Sequence, residues 1–205
     1  MANGLKFYGP GEWDRLKHGE KRRAWRKLHI AVDADTGEIL AHLLTDSGER
    51  QRATGSSAAA NADAAMAGPL VEGAGGRIRS VIADGVYDGA PVYEAIRAAR
   101  PPRSPPKIVI PPSAASIPTC SALHGDFERE RHAAEIAAHG RMAWQEANGY
   151  GKRALVETTV CRLKRRGSDR LTARTFGAQQ KETALRISAD NKAIRYSKPV
   201  IVRIV

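Results

Sequence analysis

Four residues near the C-terminal end of the chain have types and spacing that suit a nucleic-acid site: Tyr150, Arg153, Glu157 and Lys164. If residues 150–164 form one α-helix, these side chains share a stripe about 60° wide and about 21 Å long. A carboxylate on this stripe can bind a divalent metal ion, and the basic side chains can contact phosphates. The same spacing also fits an ordinary surface helix, in which Arg153 and Glu157 form an i,i+4 pair worth a few tenths of a kcal/mol.

A second carboxylate, that of Asp84, follows a short apolar segment at residues 77–83 that is predicted to be a β-strand. A strand that ends in Asp-Gly presents the carboxylate at an edge of the sheet, where it can bind a metal ion. An aspartate that only stabilises a turn is the common alternative, and the residues alone leave both interpretations open. Asp88 is interpreted as a structural residue of a helix or turn.

The spacing Tyr-x2-Arg-x3-Glu-x6-Lys resembles the Y-R-E-K motif of DDE transposases from bacterial insertion sequences. Other segments are similar to the same family, closest to its insertion-sequence-five branch: GLKFYGPGEW, KRRAWRKLHIAVD, TGEI, ADGVYD and DRLTARTF. The resemblance implies an RNase-H-like fold and metal-dependent cleavage and transfer of DNA strands, with two Mg²⁺ or Mn²⁺ ions. It implies Asp84 and Glu157 as catalytic metal ligands. It implies Tyr150, Arg153 and Lys164 as DNA-binding residues, with a packing role as the alternative for Tyr150.

The family's first metal ligand, an aspartate in a D-[ST]-x-G-L-K type segment, is missing from the chain. Residues 4–6 match Gly-Leu-Lys, and Met1 stands where the aspartate is expected. We therefore expect an N-terminally truncated DDE domain without its first, central strand, with weak metal binding and weak or no catalysis. Asp14, Asp33 and Asp35 are candidate substitutes, but Asp33 and Asp35 are expected to form a hairpin turn.

Charge is distributed unevenly along the chain, which carries 33 Lys and Arg against 22 Asp and Glu, a net charge of +11. Residues 150–205 hold 14 basic against 4 acidic residues, and residues 1–30 hold 8 against 3. A polyanion such as DNA is the natural partner, and a generally basic protein is the alternative. The other functions considered are a non-catalytic DNA-binding remnant that associates with full-length transposase, and a nuclease of related fold.

Two cysteines are too few for a disulfide framework, and no apolar run reaches the roughly 18 residues of a membrane span. The N-terminal segment lacks the apolar centre of a signal peptide. These features predict a cytoplasmic, nucleoid-associated bacterial protein, which could act as a homo-oligomer.

Apolar periodicity predicts a mixed α/β fold. Strands are predicted at Trp25–Val32 and residues 38–44, as an antiparallel hairpin, and at residues 77–83 and 107–110. Helices are predicted at residues 61–66, 91–100, 127–138, 141–147, 150–164 and 179–196, and turns at residues 3–11. With the resemblance, this gives an RNase-H-like mixed sheet flanked by helices. The DDE domain is expected at residues 1–175, and a C-terminal helix and tail at residues 176–205.

Overall fold

A computed structural model of the protein describes residues 2–7, 25–46, 63–99, 105–112 and 127–197. Within these ranges the strands are β1 (Ala2–Phe7), β2 (Trp25–Val32), β3 (Ile39–Asp46), β4 (Ser80–Ile82), β5 (Lys107–Val109) and β6 (Arg170–Leu171). The α-helices are α1 (Ala67–Gly73), α2 (Ala90–Ala98), α3 (Phe127–Ala147), α4 (Ala154–Gly167) and α5 (Phe176–Tyr196). Two short 3₁₀-helices lie at Gly85–Tyr87 and Tyr150–Arg153. The architecture is mixed α/β, as expected, and Asp14 lies outside the described residues.

Four strands form a mixed sheet in the order β3-β2-β1-β6, so that β1 is an inner strand. It runs antiparallel to β2, with Ala2 opposite His29, and parallel to β6. The prediction of turns at residues 3–11 is therefore wrong for β1. Asn3 and Gly4 have low strand propensity, but their pairing with β2 offsets it. The RNase-H-like topology and the loss of a central strand stay predictions.

The predicted antiparallel hairpin is formed by β2 and β3. Asp33 closes its turn, because the Asp33 Oδ1 atom accepts hydrogen bonds from the backbone N–H groups of Asp35 (2.7 Å) and Thr36 (3.0 Å). Gly37 follows with a φ of 73°, a conformation that favours glycine. The expected turn role of Asp33 and Asp35 is confirmed. The Asp35 carboxylate also accepts a hydrogen bond from Lys152 Nζ at 3.1 Å.

A first hydrophobic core joins the four-stranded sheet to α4 and α5. Val160 and Leu163 of α4 are buried in it, and Val156 packs against it. Ile187 of α5 belongs to the same core. Asn191 of α5 exchanges two hydrogen bonds with the backbone of Ile39 in β3, at 2.9 and 2.8 Å. These contacts hold α4 and α5 against the sheet. The domain division at residue 175 stays a prediction.

A second core surrounds the two-stranded parallel sheet of β4 and β5. It is filled from α1, α2, β5 and the residue after β5 by Val71, Val92, Tyr93, Ile96, Ile108 and Ile110, among others. Strands β4 and β5 and helix α2 lie where the sequence predicts them. Helix α1 begins at Ala67, after the segment predicted to be helical. Gly140 (φ 81°) kinks α3 between the two helices predicted there.

The loop between β6 and α5 is held by the carboxylate of Glu182. This carboxylate accepts hydrogen bonds from the N–H groups of Thr172 (3.0 Å) and Ala173 (2.8 Å) and from Arg186 Nη2 (2.6 Å). Burial acts to raise the pKa of Glu182, but the two backbone donors, the Thr172 hydroxyl and Arg186 together lower it. The ionised form therefore stabilises the folded state.

We predict that Glu182→Gln lowers the free energy of unfolding at pH 7 by about 1–2 kcal/mol, because charge-assisted hydrogen bonds are lost. The folded-state pKa is lowered, so the stabilisation is complete above the unfolded value of about 4.3 and is lost as the pH falls through the folded-state value. Urea denaturation between pH 7 and pH 3 should show the variant and the wild type converging. The exposed Glu146→Gln is the control, and an equal loss at both pH values would contradict the prediction.

Candidate metal and DNA site

Asp84 lies two residues beyond the end of β4 and caps the 3₁₀-helix Gly85–Tyr87. Its Oδ1 atom accepts a hydrogen bond from the Gly85 backbone N–H at 2.7 Å. This contact is the turn role that the sequence left open. The other oxygen, Oδ2, faces the segment that contains Arg153. The side chain is 39% exposed. Asp84 therefore combines a turn role with a partly exposed carboxylate just beyond the end of a strand.

The segment predicted as one helix at residues 150–164 consists of two elements. Gly149 has a φ of 63°, Tyr150–Arg153 forms a 3₁₀-helix, and α4 begins at Ala154. The single stripe of four side chains is therefore wrong at its first turn, because a 3₁₀-helix turns by about 120° per residue. Glu157 and Lys164 lie in the first and last turns of α4, seven residues apart, and share one side of it.

One guanidinium connects the two candidate metal ligands. Arg153 Nη1 donates to Asp84 Oδ2 at 3.0 Å, and Arg153 Nη2 donates to Glu157 Oε1 at 3.0 Å. The i,i+4 pair of Arg153 and Glu157 confirms the sequence prediction. The contact with Asp84, across 69 residues, does not follow from spacing. One carboxylate that follows β4 and one from α4 therefore meet at one cation, which is 26% exposed.

Tyr150 is half-buried and belongs to a packed group of side chains beneath the site. Its ring lies 5.4 Å from that of Trp144, at 45°. Trp144 Nε1 donates to Nδ1 of buried His132 (3.0 Å), which leaves His132 Nε2 to donate to the backbone oxygen of Ile108 in β5 (2.8 Å). Burial, and next the charge of Asp84, raise the pKa of Tyr150. The packing alternative for Tyr150 is thus observed, and sequence spacing gave no signal for His132 and Trp144.

Several basic residues that the sequence assigns to a DNA surface are ion-paired within the fold. Within the described residues 150–197, ion-paired cations include Lys152, Arg153, Arg162, Arg166, Arg186 and Arg195. Asp190, whose side chain is 1% exposed, accepts from both Arg162 and Arg166 at 3.0 Å. Other cations of the described part of this region are exposed, namely Arg165, Arg170, Arg174, Lys181 and Lys192, and Lys164 is partly buried. The positive surface is therefore smaller than the count of basic residues indicates.

The site provides two carboxylates for a metal ion. Mg²⁺ binds proteins through one or two carboxylates and completes its ligands with substrate phosphates and water. Asp84 and Glu157 fit one such ion, because both are carboxylates, partly exposed, and already gathered at a cation. In the part of the chain that the structure describes, no group of three or more His, Cys, Asp or Glu side chains could hold a metal ion. Asp88 has a 1% exposed side chain and accepts from Arg129 at 2.7 Å, which confirms its structural role.

A cavity of about 410 Å³ lies beside this carboxylate pair. Val156 and Arg153 line it from α4 and the preceding 3₁₀-helix, Ile30 lines it from β2, and Val81 lines it from β4. It therefore separates the two strand systems at the level of the candidate site. Its lining is mixed, because charged residues such as Asp35 and Lys152 also line it.

The fold and site define a mixed α/β protein with a carboxylate pair between a strand end and a basic helix. The family model of the transposase DDE domain matches residues 2–191, and the chain belongs to this family. The match supports a transposase function in general and therefore an enzyme of this kind. It implies DNA as the partner. No solved structure gives a significant match. Among the described helices, none has the length and apolar character needed to cross a membrane.

We predict that His132→Phe lowers the free energy of unfolding by about 2–4 kcal/mol, because Trp144 Nε1–H and the Ile108 carbonyl both lose a buried partner. Thermal or urea denaturation measures the change. His139→Phe is the matched control, since His139 is exposed on the same helix, and it should change stability by less than about 0.5 kcal/mol. Equal effects of the two substitutions would show that the His132 contacts are not stabilising.

Proposed function

We propose that this chain is a transposase of the insertion-sequence type whose site acts in metal-dependent cleavage and transfer of DNA strands. The observation that carries the proposal is the convergence of Asp84 and Glu157 on the Arg153 guanidinium. Carboxylates from separate elements rarely lie this close unless a cation is present, because their charges repel. A divalent cation is the natural ligand of such a pair, and the family match makes a phosphodiester the natural substrate.

In this proposal Asp84 and Glu157 would hold the metal, and the chemistry it would supply when bound is activation of the attacking oxygen and stabilisation of the leaving oxygen in a displacement on phosphorus. Glu157 lies in the first turn of α4, where the helix dipole favours a negative charge. The Gly85 N–H bond to Asp84 Oδ1 fixes the orientation of the second carboxylate. Two Mg²⁺ or Mn²⁺ ions are expected in a complete site, and two carboxylates balance less of their charge than three. We therefore expect weak cleavage.

The DNA-binding surface is proposed to start at the site and to follow α4 and α5. Arg153 and Lys164 lie at opposite ends of α4 and would contact phosphates, Arg153 through its planar fork and Lys164 as a point charge. Lys181 and Lys192 are exposed and eleven residues apart on α5, so they lie on nearly the same side of that helix. Tyr150 would support the site through its packing and could contact DNA through its exposed edge.

A non-catalytic DNA-binding role, in association with full-length transposase, is the second candidate. It is favoured by the same ion pairs, because a guanidinium that neutralises both carboxylates can serve as a structural link alone. In that case the chain would bind DNA, and any binding of divalent metal ions would not depend on Asp84 or Glu157. A related nuclease has less support, because the family match is to a transposase domain.

We predict that DNA affinity falls steeply with salt, with a log–log slope of about −4 to −5 if about five phosphates are contacted. Lys181→Gln, at an exposed cation of α5, should make the slope shallower by about one. Arg195→Gln is the control: it removes the same charge, but Arg195 is paired with Glu38 at 2.8 Å, so the slope should change little. Fluorescence anisotropy with a duplex of mixed sequence measures both. A slope near zero for the wild type would contradict an electrostatic DNA surface.

We predict that Glu157→Gln weakens Mn²⁺ binding at least about tenfold, because a first ligand is lost, whereas the exposed Glu146→Gln does not. Electron paramagnetic resonance of free Mn²⁺ measures the affinity. Nicking of a supercoiled plasmid by the wild type in Mn²⁺ should be close to background, because the pair balances too little charge for two ions. Strong nicking that Glu157→Gln abolishes would overturn the expectation of weak cleavage. Metal binding unaffected by Glu157→Gln would favour the non-catalytic role.

A further inference from the structure

Two neighbouring basic residues at the site have different partners. Lys152 is 54% exposed and bonds to Asp35 in the hairpin turn, at 3.1 Å. Arg153 is 26% exposed and bonds to both candidate metal ligands, each at 3.0 Å. A sequence motif assigns Arg153 to DNA, but a guanidinium with two carboxylates has little positive charge to offer a phosphate. The position of Arg153 is that of a counter-ion.

We propose that Arg153 is a positioning residue that takes the place of the divalent cation between Asp84 and Glu157, and that it exchanges with the cation when metal binds. The proposal rests on the proposed function, because the exchange requires that these carboxylates are the metal ligands. It adds that the guanidinium and the metal ion compete for the same carboxylate oxygens, and that displacement releases Arg153 toward a DNA phosphate.

The chemistry of the guanidinium suits this exchange. Its Nη1 and Nη2 atoms are separate donors in a rigid plane, so one side chain can hold two carboxylates that do not touch each other. An ion that binds both carboxylates replaces a single positive charge with a double one, and Asp84 Oδ2 and Glu157 Oε1 change partner. Partly exposed ion pairs are weak, so an incoming ion can displace the guanidinium.

The surroundings of Arg153 allow it to move. Gly149 precedes the 3₁₀-helix and Gly151 lies within it, and a Cβ atom added at either would meet no other atom within 4 Å. The space beside these two glycines, next to Arg153 in the chain, is therefore open. A released Arg153 side chain could turn outward while Asp84 and Glu157 keep their places on β4 and α4.

Exchange couples metal binding to DNA binding. If metal releases a phosphate-binding guanidinium, metal must raise DNA affinity, and DNA must raise metal affinity by the same factor. An arginine that only contacts phosphates does not compete with the metal ion for the carboxylates. Its removal would therefore leave metal affinity unchanged or lower. An arginine that is only a structural link would weaken metal binding when removed, since the carboxylates would separate.

Mn²⁺ affinity without DNA separates these cases. Arg153→Gln should bind Mn²⁺ about three- to tenfold more tightly than the wild type, because the competing cation is gone. Lys152→Gln removes the same charge one residue away and should change the affinity by less than about twofold. An Arg153→Gln affinity equal to or weaker than that of Lys152→Gln would overturn the proposal. Circular dichroism establishes that each variant is folded.

Arg153→Lys keeps the positive charge, but an ammonium is a point charge that does not span two carboxylates. Its Mn²⁺ affinity should lie between those of the wild type and Arg153→Gln, and this variant tests the exchange if Arg153→Gln does not fold. An Arg153→Lys affinity below that of the wild type would count against exchange. If the wild type and Glu157→Gln bind Mn²⁺ equally, the proposed metal site itself fails, which is a different result from failure of the exchange.

The salt dependence of DNA binding tests the release of the guanidinium. The wild-type slope should steepen by about one between EDTA and Ca²⁺, relative to Arg153→Gln measured in the same buffers. Ca²⁺ binds carboxylate oxygens, and the comparison between variants cancels its direct effect on DNA. Lys152→Gln should behave as the wild type. Equal changes in the wild type and Arg153→Gln would show that metal does not release Arg153.

Discussion

Two like charges lie close together at the junction of β4 and α4, and the Arg153 guanidinium makes this arrangement favourable. Asp84 and Glu157 would repel each other at neutral pH without a cation between them. Each ion pair is partly exposed and contributes at most about 1 kcal/mol, so the pairs position the carboxylates more than they stabilise the fold. The geometry of the candidate site therefore depends on a positive charge at this point, whichever group provides it.

The helix that carries Glu157 is held from its other side by a buried charge. Asp190 of α5 is almost fully buried and bonds to Arg162 and Arg166 of α4. A buried carboxylate without partners is strongly destabilising, so these two arginines are required by the fold. Together with Val160 in the core, they fix how α4 is rotated and where its first turn lies. Helix α4 thus takes part in two ion-pair networks. The pairing of Arg162 and Arg166 with buried Asp190 holds the helix, and this fixes the position of Glu157 in the network at the candidate site.

The sequence predicts the local part of this structure and misses the distant contacts. The hairpin of β2 and β3, helix α2 and the kink at Gly140 follow from periodicity and turn residues, because they depend on neighbours in the chain. Local sequence patterns do not predict strand β1, because its stability comes from pairing with β2 and β6. The break before α4 depends on the left-handed conformation of Gly149, which a stripe calculated at 100° per residue ignores.

The site shows the same division between local and distant information. Spacing identified Asp84, Arg153 and Glu157 as residues of interest, and the i,i+4 pair of Arg153 and Glu157 was expected. The contact of Arg153 with Asp84 does not follow from spacing, because it joins residues 69 positions apart and depends on the tertiary arrangement of β4 and α4. His132 and Trp144 were missed for a related reason, since one hydrogen bond between buried side chains leaves no periodic pattern.

Ion pairs within the fold make the number of cations that can contact DNA smaller than the number of basic residues. Long-range attraction of a polyanion depends on net charge, which ion pairing within the protein does not alter. The number of phosphates neutralised depends on which cations can reach the backbone of DNA. Arg162 and Arg166 contribute to the first quantity and not to the second, because Asp190 holds them in the fold. Arg153 contributes to the second only when another cation holds Asp84 and Glu157, so the phosphate count of this surface depends on metal.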